Sequence, residues 1–533
     1  MDENLELPRY YAPLGYSASA APQPHDGNED AERAGNKEFV EGCTTPAEAP
    51  GTRRAGTSKS SSRRDFLWRV GGGLGGVAIA HQMAEQGLLA DTPLPQPRVD
   101  LNGGLHHPAR AKRVIQLFMN GGVSQCDTFD YKPELARLDG QTFDPGERIE
   151  SVTGSPGFKV MKSPFAFQRY GQCGRWVSSV FPHMAECVDD MAFLMSMASK
   201  TNVHGPGSYM MNSGFTLPGF PCLGAWLSYG LGRICDELPT FVVMPDPRGL
   251  PYNNQGNFSS AFLPVAHQGT IIKASAATPI ADLFPPSSAK YITRSSETDG
   301  LSLLAELNHE HQDQWQGDSR LDARIASYEL AARLQLSAPE VLDLSGETDA
   351  TRTLYGLDDA PTSEFGRRAL IARRMLERGV RFVQLWSGAA GASNNWDNHS
   401  NINTELPAIA AGVDRPIAGL LKDLKSRGML DDTLVVWCTE FGRQPFSQGT
   451  AGRDHNGGTF VGWLAGAGIR RGVSHGESDD WAWRARTPIY CYDLHATILH
   501  LMGIDHTRLT YRHNGSNRRL TDVHGEVIRE ILA

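Results

Sequence analysis

Asp397, His399, Glu440 and His455 are the side chains of this sequence whose types and spacing could do chemistry. Asp397 and His399 stand two apart in Trp396-Asp397-Asn398-His399. Glu440 follows the apolar run Leu434-Val435-Val436-Trp437-Cys438, and His455 comes fifteen positions later, between Asp454 and Asn456 in a glycine-rich loop. Carboxylate oxygens and imidazole nitrogens together suit Zn²⁺, Mn²⁺ or Fe, whereas Ca²⁺ prefers oxygen alone. A carboxylate at a strand tip with a histidine on the next loop fits a metal site or an acid/base pair. A surface glutamate and a loop histidine that never meet are the plain alternative, and for each histidine alone that reading would win. Four candidates at one sheet edge weigh more than any one of them. Arg443 and Arg453 are candidate anion holders, because a guanidinium pairs with phosphate or sulfate in a fork. Surface salt bridges compete with that reading, more strongly for Arg453.

The elements around these residues place them on a common edge. Arg381–Trp386 reads as a strand, followed by a glycine-rich loop carrying Asp397 and His399. A helix over roughly Leu406–Lys425 leads back to a strand at Thr433. Strand–helix–strand alternation is the signature of a parallel sheet, and open α/β sheets bind ligands beyond the carboxyl ends of their strands. Val114–Met119 is the expected first strand; it stops at Asn120-Gly121-Gly122, with Asp127 and Asp130 on the loop beyond. Met191–Met197 and Phe241–Met244 are further strands. Thr201–Gly214 is a polar turn entering a helix whose free backbone N–H groups could face an anion. A helix over Arg367–Arg378 should turn Leu370, Ile371, Met375 and Leu376 inward and its arginines outward. Near 300–345 the periodicity is that of a helical insertion, with Leu303, Leu304 and Leu307 on one face and Ile325, Leu330, Leu334 and Leu336 in a second helix. His309 and His311 fall on different faces there and read as solvated. After a strand at Phe460–Leu464, a final helix has Leu494, Ile498 and Leu501 at core spacing, with His495 and His500 on or near its polar side. The expected fold class is α/β, a doubly wound and mostly parallel sheet flanked by helices.

With 533 residues, 40% hydrophobic and 21% charged, the chain can bury a large core. A net charge of −9 gives no sign of a nucleic-acid partner. The eight cysteines form no CxxC pair, so no thiolate zinc motif is visible, and Cys438 and Cys491 fall in apolar runs as packing residues. Residues 1–60 hold too few large apolar side chains to offset ordering and read as a disordered extension. Within 61–90, Ser62-Arg63-Arg64-Asp65-Phe66-Leu67 precedes a short glycine-rich apolar stretch. That pattern fits a twin-arginine export signal, and hence a periplasmic or extracellular protein. The stretch is far shorter than the ~20 residues that span a bilayer, and no later segment is expected to be membrane-integral. One α/β domain is expected over 110–533.

Several segments, GGVSQCDTFD, HGPGSYMMNSG, ERGVRFVQLW, WDNH, TEFGR, GRDHN and DLHATILHLMG, together resemble the alkaline phosphatase and arylsulfatase superfamily. They are most similar to its bacterial, twin-arginine-exported, sulfatase-like branch. The resemblance implies one or two divalent metals at the carboxyl edge of the sheet. It matches Asp397 and His399 to the middle ligand pair, Glu440 to the carboxylate after the next strand, and His455 to the final histidine ligand. Asp127 matches the first-strand carboxylate, although Asn120 lies nearer the strand end. The departure is at the nucleophile. The family's sulfatases open a C/S-x-P-x-R run with Cys or Ser, and here the run is His204-Gly205-Pro206-Gly207-Ser208. His204 stands in the nucleophile's place, as a metal ligand, a general base toward water or a direct attacker of phosphorus. The implied activity is metal-dependent hydrolysis of phosphate or sulfate esters, of small molecules or glycans. The rival is an exported protein that holds a metal or a glycan without catalysis.

Overall fold

The computed structural model describes residues 105–142, 159–276, 279, 293–314, 325, 340–391 and 393–533. The expected N-terminal extension, the twin-arginine segment and most of the second insertion helix lie outside these residues. No helix among the described residues is long and apolar enough to cross a membrane.

Short, mostly apolar runs become the strands of one sheet. They are β1 (Arg113–Met119), β2 (Met191–Met197), β3 (Phe241–Met244), β4 (Thr270–Ile271), β5 (Phe382–Ser387), β6 (Thr433–Cys438), β7 (Phe460–Gly466) and β8 (Val473–His475). Their order across the sheet is β8-β2-β7-β6-β1-β5-β3-β4. β1 runs parallel to both β5 and β6, β3 parallel to β5 and β4, and β8 parallel to β2. β7 is antiparallel to both of its neighbours, β2 and β6, which leaves those two pointing the same way.

Because side chains alternate along a strand, each central strand feeds two cores. Ile115, Leu117, Val435 and Trp437 pack on one face with α4 (Ser363–Glu377) and α5 (Ile402–Ser426). Val114, Phe118, Leu434 and Val436 pack on the other with α1 (His204–Ser213), α2 (Leu223–Leu231) and α6 (Cys491–Leu501). Burial on both faces explains why β6 carries no polar residue between Leu434 and Cys438. The sheet is therefore doubly wound and mostly parallel, as expected. Its centre holds a polar line: Gln384 donates to Gln116 at 3.1 Å and to Asn212 at 2.7 Å, and Gln116 contacts the Cys438 sulfur. A one-residue slip would strand these amides, so they help fix the register.

Two expectations about exposure are corrected, for the arginines of α4 and for His495. Arg368 and Arg373 of α4 are buried, not outward. Arg368 pairs with Glu364 and donates to the carbonyls of Pro245 and Trp386, while Arg373 pairs with Glu347, Glu377 and Asp423. Pairing of this kind is what permits a guanidinium inside. In α3 (Arg294–Gln314), Leu303, Leu304 and Leu307 share a face as expected but are exposed. His495 is buried in α6, its Nε2 donating to the carbonyl of Met211 at 2.9 Å.

Burial lowers the pKa of His495 to about 4, against a small opposing effect of the Met211 hydrogen bond. A folded-state pKa below the unfolded one means that the unfolded chain binds the extra proton. Stability is then fully present above pH ~6.5 and lost as pH falls toward 4, by about 3 kcal/mol for the full shift. Urea midpoints measured from pH 7 to 4 should fall less for His495→Leu than for the wild type. Parallel curves would refute the assignment.

Candidate metal centre

Strand direction brings the candidate residues to one edge. β1, β5 and β6 end together there; Asn120–Gly122 follows β1, the Asp397–His399 segment follows β5, and Glu440 follows β6. β2 points the same way, so α1, with His204 at its first position, starts at this edge too. β7 runs in reverse, so the loop that precedes it, with His455, is also here.

His204, Asp397, His399 and His455 form one group whose ligand atoms all lie within 4.8 Å of one another. Asp397 is the hub: its carboxylate is 3.2 Å from His204 Nε2, 2.7 Å from His399 Nε2 and 3.1 Å from His455 Nε2. The other ring nitrogen of each histidine is turned outward to an oxygen. His455 Nδ1 donates to the carbonyl of Asn202 at 2.7 Å, His204 Nδ1 to Glu440 Oε1 at 2.7 Å, and His399 Nδ1 to Gln448 Oε1. With the protons on Nδ1, three Nε2 lone pairs converge on one carboxylate.

That convergence calls for positive charge. His399 Nε2 and His455 Nε2 face each other at 2.9 Å, and His204 Nε2 is buried without a hydrogen-bond partner. Burial, reinforced by Arg443, lowers the pKa of His455 to about 4, so that ring is neutral at neutral pH. For His204 burial also acts downward, but the neighbouring Asp397 and Glu440 carboxylates outweigh it and raise its pKa. Burial alone would raise the pKa of Asp397; Arg443 and the three histidines instead hold its carboxyl far below the usual range. Three imidazoles and a carboxylate, each imidazole backed by an acceptor, fit a divalent ion such as Zn²⁺, Mn²⁺ or Fe.

Two glycines permit the close approach. Gly121, at φ +125°, lies where a Cβ would come within 2.6 Å of the Asp397 nitrogen, and a Cβ on Gly452 would collide with the His399 carbonyl.

The structure redistributes the remaining expected roles. Glu440 does not join the group; it stands behind His204, its Oε1 also accepting from the Gly121 nitrogen at 2.8 Å. His204, expected as the catalytic group, has Nδ1 beside Glu440 and Nε2 facing Asp397, so both of its ring nitrogens point to carboxylates. Asp127 is held elsewhere, in a fully buried pair with Arg453 (2.5 and 3.1 Å) and accepting from Ser124. It therefore lies outside the group of His204, Asp397, His399 and His455. Arg453 is accordingly a buried partner and not a surface one. Arg443 is not free to hold an anion. It is fully buried and donates to the carbonyls of Gly121, Gly122 and Arg453 and to Asp397 at 2.5 Å. Its role is to orient the Asp397 carboxylate.

Sequence reasoning missed Gln448, Asn202 and Tyr252. Tyr252 lies in a Gly/Pro/Asn-rich stretch with no periodicity to single it out, and nothing in the spacing of Gln448 signals its contact with His399.

Several solved structures are similar at low level. The lipoteichoic acid synthase LtaP from Listeria monocytogenes is 10% identical, with a TM-score of 0.32, over 75% of this chain and 74% of that one. The PsFucS1 sulfatase from Pseudoalteromonas sp. is 12% identical, with a TM-score of 0.30, over 85% and 77%. Alkaline phosphatase from the Antarctic bacterium TAB5 is 13% identical, with a TM-score of 0.29, over 74% and 98%. No curated protein matches the sequence. The family described as "Protein of unknown function (DUF1501)" matches residues 111–532, a span that takes in every element and site residue above, and the chain belongs to that family.

Proposed function

We propose that this chain is an exported metal-dependent hydrolase of phosphate or sulfate esters, acting on a small-molecule or glycan substrate. The observation that carries the reading is the convergence of three Nε2 atoms on Asp397, each imidazole with an oxygen beside its far ring nitrogen. The described residues offer one such group, which supports one ion. A bound divalent metal supplies Lewis acidity toward an ester oxygen and lowers the pKa of water. The chain's own residues do the positioning. Glu440 fixes the tautomer and ring plane of His204, Gln448 and the Asn202 carbonyl do the same for His399 and His455, and Arg443 holds Asp397 ionised. With His204 committed at both nitrogens, water is the nucleophile this site favours. The Arg63-Arg64 motif supports export by the twin-arginine route to the periplasm or beyond.

One observation favours a second reading, an exported metal- or glycan-holding protein without catalysis: Arg443, the cation nearest the group, is spent on internal carbonyls and Asp397. Metal analysis of the purified full chain, with a phosphatase and sulfatase ester panel on wild type and His399→Ala, separates the two. The hydrolase reading expects about one ion per chain and ester cleavage that His399→Ala abolishes. No metal and no cleavage of any ester would refute it; bound metal with a silent panel would favour the second reading.

A further inference from the structure

The loop from Pro251 to Phe258, which leaves the carboxyl side of β3, reaches across to the start of α1. Tyr252 lays its ring on His204, with centroids 4.3 Å apart and planes 4° from parallel. The hydroxyl of Tyr252 donates to the Gly391 carbonyl at 3.0 Å and accepts from Asn395 Nδ2 at 3.3 Å. Asn395 in turn accepts, through Oδ1, from the backbone nitrogen of Asp397 at 3.1 Å. A continuous path thus runs from the His204 ring through Tyr252 and Asn395 to the backbone carrying Asp397.

The loop is fastened on both sides of that ring. Asn253, at φ +66°, donates from its side chain to the Gly205 carbonyl at 2.6 Å, and Ala390 donates to the Leu250 carbonyl at 2.9 Å. One fastening grips the turn that begins α1; the other grips the loop after β5. His204 is held edgewise by Glu440 at Nδ1, which leaves rotation about that hydrogen bond to be stopped by something lying flat on the ring. On its other sides the ring meets Phe441 at 4.9 Å, tilted, and His455 at 4.3 Å, edge-on. Tyr252 supplies the parallel contact.

We propose that Tyr252 is a positioning residue of the metal centre, its ring setting the plane of His204 and its hydroxyl tying that plane, through Asn395, to the segment carrying Asp397. The inference rests on the metal-binding reading above and adds to it a residue that touches no ligand atom. His204 and Asp397 come from elements far apart in sequence, and an aromatic ring fastened to both loops gives their two donor atoms a common reference. Small losses of ligand orientation are known to reduce metal affinity strongly.

The test uses the full chain titrated with Co²⁺, reading affinity by chelator competition and ligand geometry by the visible absorption of the bound ion. Tyr252→Leu, which removes the stack, is expected to weaken Co²⁺ binding about 10–100-fold and to shift the visible band. Tyr252→Phe keeps the ring and should recover most of that loss. Asn395→Ser cuts the hydroxyl tie while leaving the stack, but it also loses the Asn395 bonds to the Asp397 nitrogen and to the Ala389 and Gly391 carbonyls, so it should weaken Co²⁺ binding more than Tyr252→Phe; it also serves if Tyr252→Leu fails to fold. A folded Tyr252→Leu that binds within about twofold of the wild type with an unchanged band overturns the proposal; where Tyr252→Leu does not fold, a silent Asn395→Ser overturns it. A wild type that binds no Co²⁺ overturns instead the metal reading beneath it.

Discussion

Asp127→Ala is expected to destabilise the fold by about 3–5 kcal/mol, the range for breaking a buried ion pair from one side, while leaving the metal content of the folded protein unchanged. Asp127 and Arg453 are both fully buried, joined by two hydrogen bonds of 2.5 and 3.1 Å. Ser124 donates to the same carboxylate at 2.5 Å. Arg453 also donates to the carbonyls of Gln444 and Met161. These carbonyls satisfy hydrogens but not charge, so removing Asp127 leaves a guanidinium in the interior with no counter-ion. Unfolding in urea measures the loss. The double variant Asp127→Ala with Arg453→Met should recover much of it, because replacing both partners by apolar groups avoids the stranded charge. A single variant within about 1 kcal/mol of the wild type would remove the pair from the stability account. One that stays folded but loses its metal would return Asp127 to the ligand set, where the sequence resemblance had placed it.

That contrast shows what a sequence carries and what it does not. β1, β5 and β6 were legible because a strand buried on both faces must be nearly all apolar, as these are apart from Gln116 and Gln384 inside β1 and β5, and each such run ends in residues that cannot continue it. The doubly wound arrangement followed from the strand–helix–strand order. Asp397 and His399 were legible as a pair because a two-residue spacing on a short loop is local information. The roles of Glu440 and Asp127 were not local. Whether a carboxylate faces an ion or a neighbouring side chain depends on what arrives from elsewhere, here His204 at the start of α1 and Arg453 from the loop before β7. Arginines show the same limit: a helical period assigns Arg373 to solvent, and only Glu347 and Asp423, from other elements, make its burial tolerable. Charge type is written in the sequence; the partner that neutralises it is a property of the fold.

Glu440→Gln is expected to weaken metal binding about 10–100-fold, the usual consequence of changing the partner behind a ligating histidine, without changing the number of ions bound. Glu440 Oε1 receives both the His204 Nδ1 proton and the Gly121 nitrogen, and Oε2 contacts the Thr439 hydroxyl at 3.1 Å. Glutamine can keep the Oε1 contacts and turn its amide toward Thr439 Oγ1, which already donates to the Met119 carbonyl at 2.8 Å and so has a lone pair to offer. The substitution therefore removes charge more than shape. What is lost is the carboxylate's push on the imidazole, which makes Nε2 a better donor to a cation. Glu440→Ala removes the acceptor as well, frees the ring and should weaken binding further. Chelator competition gives the affinities, and the absorption of bound Co²⁺ reports the ligand set. If Glu440 were itself a ligand, its replacement would alter that absorption outright, since a carboxylate would leave the metal. Standing behind His204, it should lower the affinity and leave the number of ligands as it was.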